Sequence, residues 1–299
     1  GMGYAWSAQL RGSQGDKQVN GELGIDRGNG RTTLALAVYH RLVSAADWGT
    51  PLTLSASLPG LLYARDEGFY FRAWGAELTR TSDRRGLLSW RLFAEQETSA
   101  PVTTRFSLFG GSHDDRFIGN VAAVSGAYVG GSVRWQQNWG VAPRGWKTLA
   151  DLRLEGAGGE RNYGRGALDL TLSHGLFGPL MFGLTGAAGS SVGDVPPQRN
   201  WFLGSIQTVR GQTAGAAVGD AFWFERTELA LVRGGSRRSV FADLGWAGSR
   251  GSDWGKSQRP MAGVGVGSSF LDGLVRTDLS WGLWPEKRRR LDISLEARF

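Results

Sequence analysis

The side chain best equipped for a specific polar contact is Arg210, in the run Thr208-Val209-Arg210-Gly211. Its guanidinium cannot lose its proton and presents five donors in a rigid fork, which suits a carboxylate and performs no acid–base chemistry. Other candidate chemistry is sparse. The three histidines, His40, His113 and His174, do not stand at ligand spacing, and cysteine is absent. Ser112-His113-Asp114-Asp115 has the residue types of a hydrolase or metal site, yet it reads better as a solvated loop. Gly263-Val264-Gly265-Val266-Gly267 echoes a nucleotide-binding glycine loop, but it lies in strand-like sequence with no helix after it, so that fingerprint fails. These glycines read instead as a place where a sheet is thinned for another segment. No catalytic residue, metal or cofactor is assigned.

The elements that must position Arg210 are strands. Among 299 residues there are 47 glycines and 13 tryptophans, and no stretch keeps an apolar stripe at helical spacing. No run of about 18 apolar residues is present either, so a helical membrane span is excluded. Apolar residues alternate instead. Leu291, Ile293, Leu295, Ala297 and Phe299 share one face, opposite Asp292, Ser294, Glu296 and Arg298. The same rhythm runs through Tyr4, Trp6, Ala8 and Leu10, through Leu52, Leu54, Ala56 and Leu58, and through Leu168, Leu170 and Leu172. Leu88, Trp90, Leu92 and Ala94 oppose Ser89, Arg91, Phe93 and Glu95, while Val129, Val133 and Trp135 oppose Ser132, Arg134 and Gln136. Charges at strand centres argue against a soluble sandwich, whose inner faces are apolar. A lipid-facing outside and a polar lumen require such a pattern.

Turn residues divide the chain into strands near 3–12, 17–26, 31–43, 48–58, 69–80, 86–96, 103–111, 126–138, 147–158, 163–174, 179–190, 219–233, 237–247, 259–270, 273–284 and 288–299. The fold class expected is all-β: a transmembrane antiparallel β-barrel of sixteen strands, or fourteen if the region 97–127 is not wall. Most segments are long enough to cross a bilayer at a tilt of about 45°. Trp48, Phe69, Trp139, Trp146, Trp281 and Trp284 fall near strand ends, as aromatic girdles do. Residues 191–218, with Pro196-Pro197, form the longest stretch without alternation. They join the eleventh and twelfth expected strands on the outer side and are long enough to fold into the lumen. Glu225 and Arg72 fall in the apolar register, where a β-bulge would be needed to turn them inward. The formal charge of +7, from 34 basic and 27 acidic residues, is carried mainly by arginine scattered among carboxylates. That argues for internal ion pairs and lipid phosphates, not nucleic acid. Lys287-Arg288-Arg289-Arg290 suits lipopolysaccharide phosphates or a solvated rim.

The last hundred residues are more specific. Trp201-Phe202-Leu203-Gly204, Thr208-Val209-Arg210-Gly211, Gly219-Asp220-Ala221-Phe222-Trp223, Thr227-Glu228-Leu229, Phe241-Ala242-Asp243-Leu244-Gly245, the strand Gly263–Gly267 and a terminal Phe299 occur in that order. The series resembles the BamA/TamA superfamily of outer-membrane barrels, with its relatives the bacterial surface antigens and two-partner secretion transporters. Gln212 departs from it, standing where the family has Tyr or Phe. The resemblance implies that Arg210 enters the lumen and pairs with acids on the next two strands. Alternation places Glu228 and Asp243 on the polar faces of those strands. A lock of Val209, Arg210, Gly211, Glu228 and Asp243 is therefore expected.

The resemblance further implies a barrel in the bacterial outer membrane that is not an enzyme. It would help insert, fold or translocate unfolded outer-membrane or secreted client proteins, among outer-membrane lipids and lipopolysaccharide and without nucleic acid. The working part would be a lateral seam between the first and last strands, carried by Tyr4, Trp6, Leu291, Ile293, Leu295 and Phe299. A passive or plugged channel, or a membrane anchor for a passenger domain, is the alternative. One barrel domain over 1–299 is expected, with no signal peptide and no POTRA domain in this chain.

Overall fold

The computed structural model describes residues 3–12, 18–48, 68–83, 86–102, 108, 118–251, 259–271 and 274–295. The strands are β1 (Gly3–Gly12), β2 (Val19–Gly28), β3 (Thr32–Ser44), β4 (Tyr70–Ser82), β5 (Leu87–Ser99), β6 (Gly126–Trp139), β7 (Lys147–Gly159) and β8 (Tyr163–Gly175). They continue as β9 (Leu180–Gly193), β10 (Trp201–Leu203), β11 (Ala217–Gly219), β12 (Ala221–Arg233), β13 (Ser236–Gly248), β14 (Met261–Phe270), β15 (Val275–Trp284) and β16 (Arg289–Leu295). Fourteen of these sixteen make one antiparallel sheet in chain order, while β10 and β11 pair with each other inside the long loop.

The wall is therefore fourteen strands wide among the described residues, the smaller of the two expected counts. β3 pairs directly with β4, as far as Ser44 opposite Tyr70, and β5 pairs directly with β6, as far as Glu97 opposite Gly126. The described ladders leave no place for 48–58 or 103–111 between these strands. Apart from Trp48 and Leu108, both segments lie outside the described residues, as does the Ser112–Asp115 run. Alternation says that two faces differ, not which neighbour a segment pairs with. The long loop consequently joins the ninth and tenth wall strands.

Elsewhere the alternation holds residue by residue. On β13, Ser239, Phe241, Asp243 and Gly245 are buried, whereas Arg238, Val240, Ala242 and Leu244 are exposed. Leu34, Leu36 and Val38 on β3, Leu168 and Leu170 on β8, and Leu291 and Ile293 on β16 are likewise exposed. Such a continuous apolar exterior is stable only against lipid. No helix among the described residues is long and apolar enough to cross a membrane; strands do the crossing. One rim carries tight turns such as Gly234-Gly235, and the other carries the long connections 45–69, 100–125 and 194–220. In barrels of this kind the long loops face outward.

Two exceptions in the apolar register resolve differently. Neither β4 nor β12 carries a bulge in its ladders. Arg72 is nonetheless buried and donates from Nη1 to Asn20 Oδ1 at 3.0 Å. Glu225 remains on the outward face, where it accepts a hydrogen bond from the Thr227 hydroxyl. The girdle also needs correction. Trp139, Trp146 and Trp284 are exposed and Trp281 lies on the outward face, whereas Trp48 and Phe69 turn inward. Trp48 donates from Nε1 to Phe202 O at 2.9 Å, and Phe69 stacks on Phe202 at 4.6 Å. Both described ends of the connection between β3 and β4 therefore turn toward the lumen.

Candidate functional site: a loop gripped at two walls

Between β9 and β12 the chain makes a 3-10 turn, Pro197–Arg199, then the β10–β11 ladder, and a tip at 204–216 that descends into the sheet's concave side. Trp201, Leu203 and Val209 from this loop pack with Phe222 and Phe224 of β12 and with Ala247 and Met261. Trp48 closes the cluster edge-on to Phe222 and Phe224, at 5.2 and 5.1 Å. Burying these side chains supplies most of the apolar drive that draws the loop inside.

The tip lies on a track of glycines. A Cβ on Gly245 of β13 would meet Val209 Cγ2 at 2.7 Å, and one on Gly263 of β14 would meet Arg210 O at 1.9 Å. At Gly211, which has φ +85°, a Cβ would meet Gly282 N of β15 at 2.6 Å. Three consecutive loop residues thus rest on three consecutive strands, where side chains would hold them off. The thinning expected at Gly263–Gly267 serves this approach at Gly263.

Arg210 is fully buried, and its contacts centre on Asp243. The carboxylate accepts the Arg210 backbone N–H (3.0 Å) and Nε–H (2.7 Å) on Oδ2, and Nη2–H (2.6 Å) on Oδ1. The guanidinium carbon sits 3.4 Å from the centre of the Phe241 ring, a cation–π contact. Glu228 is a secondary partner, accepting from Nη1 at 3.4 Å. Glu228 is held more closely by Arg237 at 2.7 Å and Arg276 at 3.0 Å. Arg226 Nε lies 3.8 Å from Asp243 Oδ1 and Arg226 Nη1 donates to Gln207 O at 2.9 Å.

Gln212 replaces the expected aromatic without loosening the tip. It is buried, donates from Nε2 to Ala262 O (2.9 Å) and Glu286 O (3.2 Å), and accepts from Glu286 N (3.1 Å). Its carbonyl accepts from Arg290 Nη1 at 3.2 Å, tying the tip to β16. Arg290, expected on the basic rim, instead turns into the lumen and pairs with Asp292 at 2.7 Å.

A second grip was not expected. Arg199 is buried against the opposite wall, where Nη2 pairs with Glu97 and, at 3.3 Å, with Glu95 of β5, and Nε lies 3.5 Å from Glu155 of β7. Gln198 donates to Glu97 Oε2 at 2.7 Å and to Val124 O at 3.1 Å, and accepts from Val124 N at 2.9 Å. Burial alone would lower the Arg199 pKa, but Glu155, Tyr163, Glu97 and Glu95 together hold it well above the ordinary range. Around this cluster Arg91 pairs with Glu77 and Glu95, and Arg165 pairs with Asp47 and Glu155. From Arg199 on β5 to Gln212 on β16, one loop touches both sides of the sheet, so the sheet must curl around it.

At the proposed seam, Tyr4, Trp6, Leu291 and Ile293 are exposed, while the Leu295 side chain and Phe299 lie outside what is described. Among the described residues no ladder joins β1 to β16. All ten residues of β1 are exposed.

An antiparallel sheet curled around its own loop, apolar outside and charged within, defines a β-barrel of the bacterial outer membrane. Among solved structures this barrel is similar to CdiB from Acinetobacter baumannii, with TM-score 0.58 at 14% identity, over 93% of this chain and 50% of that one. It is also similar to BamA from Haemophilus ducreyi lacking POTRA domains 1-3, with TM-score 0.57 at 12% identity, over 98% of this chain and 70% of that one. The likeness is one of fold, and the chain spans half the length of the CdiB chain. No family model matches the chain, and no curated protein does.

Proposed function

We propose that this barrel assists insertion, folding or translocation of other proteins at the outer membrane, through a lateral seam between β1 and β16. The observation that carries this is the edge strand β1, whose ten residues are all exposed and whose ladder, among the described residues, is with β2. An unpaired strand edge presents a row of N–H and C=O groups to any extended segment that meets it, and a client strand adds there by β-augmentation. In lipid the incentive is strong, because an edge group without a partner has no water to bond. The likeness to a BamA barrel supports the same reading. Arg210 and Gln212 then serve as positioning residues. They fix β13 to β16 against the loop, so that one edge keeps its shape while the other accepts a client. No bond-making step is required. Unfolded client proteins are the partners, and exposed Lys287, Arg288 and Arg289 at the rim are offered to lipopolysaccharide phosphates.

The test is the folding rate of an unrelated unfolded barrel into liposomes with and without this protein. Acceleration that a covalent β1–β16 cross-link abolishes is the expected result. No acceleration, accompanied by robust ion conductance through the same liposomes, would favour a passive channel.

A further inference from the structure

The inner glycine track has an outward counterpart on the far side of the sheet. Leu92, Gly131, Gly156, Gly164 and Val192 are successive Cα partners across β5 to β9, so three glycines stand side by side on three adjacent strands. Leu92 and Val192 at the two ends are exposed, which places the whole row on the lipid-facing side. The neighbouring row, from Trp90 through Leu154 and Gly166 to Ser190, completes a groove of about 570 Å³. At an inter-strand spacing of about 4.8 Å, the row is about 19 Å long. Because the strands are tilted, the row climbs obliquely across the wall, with its Val192 end next to the long-loop rim.

Nothing within the protein demands glycine at 156. A Cβ there would come no closer than 3.6 Å to another residue, at Tyr163 O, which is ordinary contact. Glycine weakens a strand interior and commonly marks the close approach of something else. Of the outward side chains lining the groove, only Ser190 is polar. All five strands are paired on both sides, so no backbone edge is available to a peptide. A chain of methylene groups needs neither, since close apolar contact along its length suffices.

We propose that this groove seats one acyl chain of an outer-leaflet lipopolysaccharide, entering from the long-loop rim. The inference stands apart from the proposed function. For the test, the full chain is folded into vesicles of phosphatidylethanolamine and phosphatidylglycerol. A trace of the phosphatidylethanolamine carries a diazirine at the end of one acyl chain, and labelled peptides are mapped. Peptides containing Gly156 and Gly164 should be labelled several-fold more than those containing Val240 and Val266. Gly156→Leu should remove the excess, and added lipopolysaccharide should displace it. Even labelling around the belt, or an excess untouched by Gly156→Leu, would overturn the groove as a site. An excess that lipopolysaccharide fails to displace would overturn lipopolysaccharide as the occupant. Cross-links joining two copies of the chain at this face would assign it to self-association instead.

Discussion

Arg210 and Arg199 leave the same loop and enter opposite walls, yet the two are surrounded by different balances of charge. Around Arg210 the inward-facing cations Arg226, Arg237 and Arg276 accompany Glu228, Asp243 and Asp278. If Arg210 were removed, Asp243 would still have Arg226 close by. Around Arg199 the acids dominate. Glu95 and Glu97 sit two residues apart on β5 and Glu155 faces them, while Arg91 and Arg165 already have other acids to serve. Glu97 has an amide partner in Gln198, but its cation is Arg199. The residue in the recognisable motif is thus the better insured of the two, and the unremarked one holds the more exposed account of buried charge.

That contrast orders the expected effects. Arg199→Ala strands carboxylates that are almost fully buried, and removing one partner of such a cluster costs about 3–5 kcal/mol. A fall in the urea midpoint for unfolding from liposomes would measure it. Adding Glu97→Gln should recover a large part of the loss, since it removes the stranded charge. If the double variant were no more stable than Arg199→Ala alone, charge would not be what Arg199 supplies. Arg210→Ala should cost less, about 2–3 kcal/mol, because the lost hydrogen bonds to a charged group are partly replaced by Arg226. A larger loss than that of Arg199→Ala would reverse the comparison.

The two grips also differ in how far they can be read in the sequence. Arg210 lies between strands whose period-two pattern phases Glu228 and Asp243 inward, so its partners follow from alternation together with the motif. Arg199 follows Pro196-Pro197, where no period constrains direction, and its partners lie some way upstream on β5 and β7. A signal was present all the same. Glu95 and Glu97 share the inward face of β5, and their cross-strand neighbours Gly75, Ala73, Tyr128 and Gly126 bring no cation. Arg91 of the same strand answers Glu95, which leaves Glu97 to require a base from elsewhere. The wall strands themselves were legible wherever both flanking turns were. The direct pairing of β3 with β4 shows the limit of pattern, because an alternating run does not reveal which neighbour it pairs with. Trp48 and Phe69 failed for the related reason that nearness to a strand end does not reveal whether a side chain beyond it turns outward or in.

The two glycine tracks sharpen the comparison on a smaller scale. Gly263→Val puts a side chain where Arg210 O already lies, and a backbone atom cannot swing aside as a side chain would. Overpacking of this sort costs about 1–3 kcal/mol. Because it lifts the tip off β14, it should also weaken the Arg210–Asp243 contact. Combined with Arg210→Ala, its effect should therefore be less than additive. Full additivity would mean that the glycine and the arginine act separately.

The outer track should respond with the opposite sign. At Gly156 the nearest atom to an added Cβ is at contact distance, and the backbone lies outside the left-handed region that excludes other residues. Alanine there narrows the unfolded ensemble without straining the folded one, which stabilises by about 0.4–1 kcal/mol. The same substitution at Gly263 should destabilise, since its Cβ has no room. Measuring both alanine variants by urea midpoint separates the two explanations for a glycine in a strand. At Gly263 the protein itself fills the space that the missing side chain leaves, whereas at Gly156 that space is left to the lipid. If Gly156→Ala were as destabilising as Gly263→Ala, the outer row would be a packing requirement of the wall, and the space beside it would need no occupant.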